Sequence, residues 1–194
     1  MSRKSFRILI IGLAISLTIQ GQVTNENEKL WDSTDRITEL DFKLAVDSPK
    51  TYPCFAQFST NYSVNGFDFL SRNFNQKVKN IMITNASWID AGSKEKKRLI
   101  RYQQILFDLS EKYTRIFRKQ LLVNKKKIAK GPQIAEDINN EIFNKFSIER
   151  ASFEKESNGG VNESVLTIWE DRIQTEIQEL NEFRFDNTKK IKIK

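Results

Sequence analysis

The run from Arg98 to Leu122, RLIRYQQILFDLSEKYTRIFRKQLL, constrains this chain more than any other stretch. Large side chains return at Leu99, Tyr102, Leu106, Leu109, Tyr113, Ile116 and Phe117, in steps of three and four residues, the period of an α-helix with one apolar stripe. Ser93 stands ahead of the run as an N-cap, and the pattern ends near Lys125, before a basic connector, Asn124 to Lys130, and a Gly131-Pro132 break. A single amphipathic helix of this length cannot bury its stripe alone. The rest of the 194-residue chain must therefore cover it, and one domain is the expected size.

The covering elements are legible on both sides. Ahead of the helix, Cys54 to Val64 alternates Phe58, Tyr62 and Val64 with smaller polar residues, the period-two pattern of a half-buried strand. Asn65-Gly66 is a hairpin turn signal, with Phe67 to Leu70 as a return strand or helical turn, and Lys77 to Thr84 is the next strand. Asn85 to Gly92 closes this sheet region, and Ile37 to Leu44 is a short extended or turn segment. After the helix, Ile134, Ile138, Ile142, Phe146 and Phe153 mark a second helix to Glu156, and Asn158-Gly159-Gly160 stops it. Asn162 then caps a third helix that runs to about Phe183. The fold class expected is α+β, a small antiparallel sheet followed by a long helix and two further helices.

The ends of the chain carry the charge. Arg3, Lys4 and Arg7 precede an apolar run from Ile8 to Ile19, the order of a secretory signal, too short for a comfortable membrane span. This predicts a signal peptide over 1–21, a polar lead over 22–36, one domain over 37–186 and a basic tail over 187–194, with export to the periplasm or the extracellular space. The formal charge is +7, and it resides in these ends: three cations lie in the signal and four, Lys189, Lys190, Lys192 and Lys194, in the tail. The body is neutral but divided, basic over Lys94 to Lys127 and acidic over Gln133 to Glu182, as expected of oppositely charged helices packed side by side. That favours packing over a nucleic-acid groove. The only cysteine, Cys54, allows no internal disulfide and reads as a small buried hydrophobe. Asn61, Asn85 and Asn162 head Asn-x-Ser sequences, which are glycan acceptors only in a eukaryotic secretory pathway.

Three blocks carry a resemblance. RLIRYQQILFDLSEKYTRIFRKQL is similar to LLxHEQxHFDIAExYARxLRKxL, sharing Gln104, Phe107, Asp108, Tyr113, Arg115, Arg118 and Lys119. ITELDFKL at Ile37 to Leu44 resembles LTWDDFKG, and Phe153 to Ile177 resembles YDxxTxHGxNxxxQxxWxxxIxxEL through Gly160, Asn162, Trp169, Ile173 and Glu176. The patterns are those of a family of small exported bacterial proteins regarded as zinc-dependent proteases. The resemblance implies a zincin-like domain whose long helix is the former active-site helix.

What the resemblance does not carry is the chemistry. In the family's pattern two histidines four residues apart bind zinc, a glutamate beside the first activates water, and a third histidine completes the site. Here those positions hold Tyr102, Leu106, Gln103 and Gly159, and the chain has no histidine at all. The expected catalytic and metal residues are therefore none, and the expected cofactor is none. Tyr102 and Leu106 fall on the apolar stripe, so the former ligand face is expected to be packed and its cleft partly filled. Asp108 and Arg115 or Arg118 either link the helix to its neighbours or stand on a solvated face.

The reading that follows is an exported, non-catalytic pseudo-metallopeptidase domain with a structural or protein- or peptide-interaction role. Two other classes stay open: an enzyme with an altered metal or mechanism, and a basic module that binds anionic envelope components through Lys189, Lys190, Lys192 and Lys194.

Overall fold

A computed structural model describes residues 25–46, 52–64, 68, 71–131 and 133–191. The signal segment, Asn65-Gly66, Pro132, Lys192 and Lys194 lie outside these residues.

Three antiparallel strands, β1 (Glu28–Leu30), β2 (Cys54–Tyr62) and β3 (Val78–Ile89), form a sheet in the order β1-β3-β2. The alternation in β2 does what its sequence predicts. Cys54 and Ala56 are buried, Phe58 stacks on Phe107 at 4.8 Å, Thr60 bonds Thr114 at 3.1 Å and Tyr62 meets Phe117 edge-on. β3 runs five residues past the expected end at Thr84, because its pairing with β2 resumes beyond a bulge: Phe55 faces Trp88, whereas Gln57 faces Ile83. Ser87, fully buried, bridges that bulge by donating to the Ile83 carbonyl at 2.7 Å and accepting from the Gln57 amide at 3.0 Å.

β1 lies within 22–36, which the sequence marks only as a polar lead. Its three residues pair with Ile81 to Ile83, Trp31 behind it is buried, and Arg36 reaches into the core. The next block, Ile37 to Leu44, makes the expected turn, a 3-10 turn at Glu39–Asp41 closed by a Thr38 and Asp41 capping box. Its amides at Lys43 and Leu44 then donate to the carbonyls of Thr84 and Ser87 on β3.

Beyond the sheet lie α1 (Lys96–Val123), the short α2 (Lys125–Ile128), α3 (Gln133–Glu156) and α4 (Glu163–Glu179). α1 begins three residues after Ser93. Glu95 holds the cap position without a side-chain cap bond, and Ser93 instead accepts from the Glu95 amide in the preceding turn. The α3–α4 turn follows its sequence closely: Asn158, Gly159 and Gly160 all have positive φ, and the Asn162 side chain accepts from the Val165 amide at 3.3 Å.

The largest difference from the sequence reading concerns the helix itself. The sheet packs on one side of α1, and α3 and α4 pack on it as well, so every residue from Tyr102 to Lys112 is buried. α1 is a central helix with no wide polar face. Its cations face carboxylates on the acidic helices, Arg101 with Glu163 and Glu170, Lys112 with Glu149 and Glu176. In the described part of the tail, Asn187 is buried and donates to the Glu182 carbonyl, and Ile191 packs against the apolar cluster around Phe117, Leu121 and Phe183. Among the described residues, no helix is long and apolar enough to cross a membrane.

Candidate functional site

Helix geometry places residues i and i+4 on one face, so Tyr102 and Leu106 point the same way and Gln103 stands beside them. The α3–α4 turn comes back against this face. Gly160 sits so close to Tyr102 that a Cβ there would lie 2.7 Å from the ring, and Arg98 holds the Gly160 carbonyl at 2.6 Å. Tyr102 itself stacks on Phe153 with ring centres 5.2 Å apart. Tyr102, Gln103, Leu106 and Gly159 are thus brought together, and all four line one cleft of about 460 Å³. Tyr52, Pro53, Cys54 and Phe55 at the start of β2 form another wall, with Leu99 on α1 and Arg150 and Glu154 on α3. The packing expected around Tyr102 and Leu106 is found, yet space remains above them.

The donor set of this cleft does not fit a zinc ion. Tyr102, Leu106 and Gly159 occupy the positions where the resemblance implies histidines, and only Cys54 and Glu154 carry ordinary metal-binding groups among its walls. Burial pushes the Cys54 thiol up to about 12, against a hydrogen bond with Gln103, so it is protonated at neutral pH. Tyr102 is raised by burial and then by the charge of Glu154, and it is a neutral phenol. Neither is a nucleophile or a general base under ordinary conditions. Among the described residues, no cluster of three or more His, Cys, Asp or Glu side chains could hold a metal ion.

One atom in the cleft lacks a partner. Gln103 is 4% exposed, and its fully buried Oε1 has no hydrogen-bond partner among the described residues. Buried acceptors without a donor are uncommon and costly, by about 1–3 kcal/mol.

One helical turn away the polar groups are saturated. Asp108, 1% exposed, accepts from Trp31 Nε1 at 2.8 Å, Arg36 Nη2 at 2.8 Å, Gln104 Nε2 at 2.9 Å and Gln174 Nε2 at 2.9 Å. Burial raises its carboxyl, against the pull of Arg36, but with donors on both oxygens the ionised form is the one this geometry supports. Gln104 completes the link by accepting from the Ile37 amide at 2.7 Å. Further along, Glu111 binds Arg115 at 2.9 Å and Arg118 at 3.0 Å, and the two guanidiniums reach the carbonyls of Val78, Ile177 and Phe183. These residues join α1 to the N-terminal segment, the sheet and α4, which is the linking alternative for Asp108, Arg115 and Arg118.

A second cavity was not foreseen from the sequence. It also measures about 460 Å³ and runs between β2, through Gln57, Phe58, Ser59 and Thr60, and α3, through Ile142, Phe143, Phe146 and Ala151. Arg150 and Glu154 line both cavities, so the two meet at this ion pair. The available signal was Phe143, a large apolar residue beside the stripe of α3 and 62% exposed.

Comparison of the chain with protein-family models, curated proteins and solved structures found no match to any of the three.

Proposed function

We propose that this chain is an exported, non-catalytic domain on a peptidase-like scaffold that holds an extended peptide in the groove between β2 and α3. The observation that carries the reading is the position of β2. The order β1-β3-β2 leaves it at the edge of the sheet, with no strand on its outer side among the described residues, and the groove lies along it. An unpaired edge offers backbone donors and acceptors to a peptide strand, and alternate peptide side chains then fall into whatever pockets flank it. Phe58, Phe143 and Phe146 supply apolar contacts. The signal-like N-terminus supports export.

Binding to an immobilised random decapeptide library tests this. Peptides with apolar residues at alternate positions should be retained uncleaved, and Phe143→Asp, on an exposed side chain, should weaken them about tenfold, as for a contact residue at a well-packed interface. Retention unaffected by Phe143→Asp, or chelator-sensitive hydrolysis of the peptides, would overturn the reading.

A different observation favours an anionic surface as partner. Every described arginine except Arg72 reaches a carboxylate, and Arg72 lines a cavity of about 230 Å³ with Lys125, Lys189 and Lys190, none of which has an ion pair among the described residues. Binding to vesicles containing phosphatidylglycerol that falls steeply with salt, and falls again on deletion of residues 189–194, would favour this second reading. Binding unchanged by either would exclude it.

A further inference from the structure

We infer that the cavity between the 3-10 turn at Phe74–Lys77, the junction of α1 with α2 and the tail is a binding site for a phosphate monoester group, held by Arg72, Lys125, Lys189 and Lys190. The inference rests on the anionic-partner reading above and names the chemical group that the partner would present.

Charge is the first argument. In the two cavities that share Arg150, that cation is already paired with Glu154 at 2.7 Å. A further cavity of about 270 Å³, lined by Trp31 and Gln174, holds Arg184 paired with Asp186 at 2.9 Å and Arg115 paired with Glu111. The cavity at Arg72 has four cations and no carboxylate among its lining residues. Cations that converge in this way repel one another, and an anion seated among them replaces repulsion by attraction.

The backbone that carries these cations is fixed by buried amides. Asn187 donates to the Glu182 carbonyl at 2.6 Å and accepts from the Lys189 amide at 2.9 Å, and Ile191 packs beyond it against the Phe117 cluster. Asn75, 2% exposed, donates to the carbonyls of Glu182 and Arg184 at 3.0 Å each, which ties the turn after Arg72 to the segment that leads into the tail. The charges are thus gathered from three parts of the chain before a ligand arrives, and less ordering remains to be done on binding.

The group follows from its chemistry. A phosphate monoester brings a charge of about −1.5 to −2 at pH 7 and three acceptor oxygens, whereas a carboxylate brings one charge and two oxygens. Arg72 can donate in parallel to two phosphate oxygens, and the lysines act as point charges around them. At about 230 Å³ the cavity is smaller than the ~300–1,000 Å³ of pockets that enclose whole organic ligands, so it admits the phosphate and a short stem. Phe74, Leu122 and Ile191 supply an apolar wall for that stem.

Titration of the full chain, labelled with nitrogen-15, with methyl phosphate and with acetate at one ionic strength tests this. Methyl phosphate should shift the Arg72 Nε resonance and bind about tenfold more tightly than acetate. Arg72→Gln, on an exposed side chain, should weaken it about tenfold, the loss expected of one charge-assisted hydrogen bond. Equal affinity for the two anions, no shift at Arg72, or undiminished binding by Arg72→Gln would each overturn the inference. Glycerol 3-phosphate and vesicles containing phosphatidic acid present the same group, and the better competitor against methyl phosphate assigns it to a soluble molecule or to a lipid headgroup. Salt-sensitive binding to phosphatidylglycerol vesicles without Arg72-dependent binding of methyl phosphate would keep the surface reading and overturn this one. Methyl phosphate binding without vesicle binding would keep the site and remove the surface.

Discussion

Two turns of the same helix treat their polar groups in opposite ways. Around Asp108 to Arg118, each buried charge is met by several partners drawn from the N-terminal segment, β3, α4 and the turn after it. Around Tyr102 to Leu106, a buried amide is left half-used beside an open cleft. The lesson is about roles. A saturated network acts as a clamp, whereas the buried amide oxygen left without a donor on the same helix is a local cost to stability.

The sharpest way to break the comparison is at Arg118, wholly buried and bonded to Glu111 and to the carbonyls of Val78 and Phe183. Arg118→Leu should cost about 3–5 kcal/mol, because the Val78 and Phe183 carbonyls lose the guanidinium and Glu111 keeps only Arg115, and urea denaturation will report it. A loss below about 1 kcal/mol would mean that the clamp is not what holds α1.

The two glycines of the α3–α4 turn give the next effect. Gly160→Ala should cost about 2–3 kcal/mol, combining a φ of +86° with a Cβ 2.7 Å from the Tyr102 ring. At Gly159, φ is +60° and nothing lies within 4 Å of a Cβ, so the same change should cost only about 1 kcal/mol. Equal losses would place Gly160 farther from the cleft floor than it stands here.

Cys54 probes the cleft chemically. With its thiol at about 12 against an ordinary 9.0, the thiolate is about a thousandfold scarcer at pH 8; higher intrinsic nucleophilicity offsets part of this, so alkylation by iodoacetamide should run about 30-fold slower than in the urea-unfolded chain. A rate equal to that of the unfolded chain would show that the thiol is open to solvent.

The smallest effects come from pH and from Tyr102. Burial pushes Glu149 up, but hydrogen bonds from Lys112 and Tyr113 and the charges of Lys112 and Arg172 outweigh it and hold its carboxyl below the ordinary 4.5. A carboxylate depressed in the folded state stabilises it above its unfolded value and loses that contribution as pH falls through the folded one. Stability should therefore fall in acid below about pH 4.5, and Glu149→Gln should flatten that limb by about 1 kcal/mol or less, since the group is partly exposed. Tyr102→Phe should change stability by less than about 0.5 kcal/mol, because the ring does the packing against Phe153 and Gly160.

Much of the architecture was legible in local pattern. The periods of β2, α1, α3 and α4, the Asn158-Gly159-Gly160 stop and the Asn162 cap are properties of neighbouring residues, and local sterics and hydrogen bonding act on them directly. The pairing of the basic and acidic helices was likewise foreseeable from charge alone.

Other features had no local signature. β1 is three residues long and polar, and it is a strand only because β3 presents an edge to it. A linking role for Asp108 and Arg118 could be read from the sequence, but nothing near them in the chain names Trp31, Arg36, Gln174 or Phe183 as the partners. The site shows the same division. Sequence alone determined which chemical groups the chain could bring to the cleft, and with no histidine that inventory lacks the usual ligands of zinc. Whether Tyr102, Gln103, Leu106 and Gly159 would meet, with Cys54 beneath them and space above, depended on how β2 and the α3–α4 turn close around α1. Residue identity sets what a group can do, but burial and partners are set by contacts between distant parts of the chain, and only the folded structure decides those.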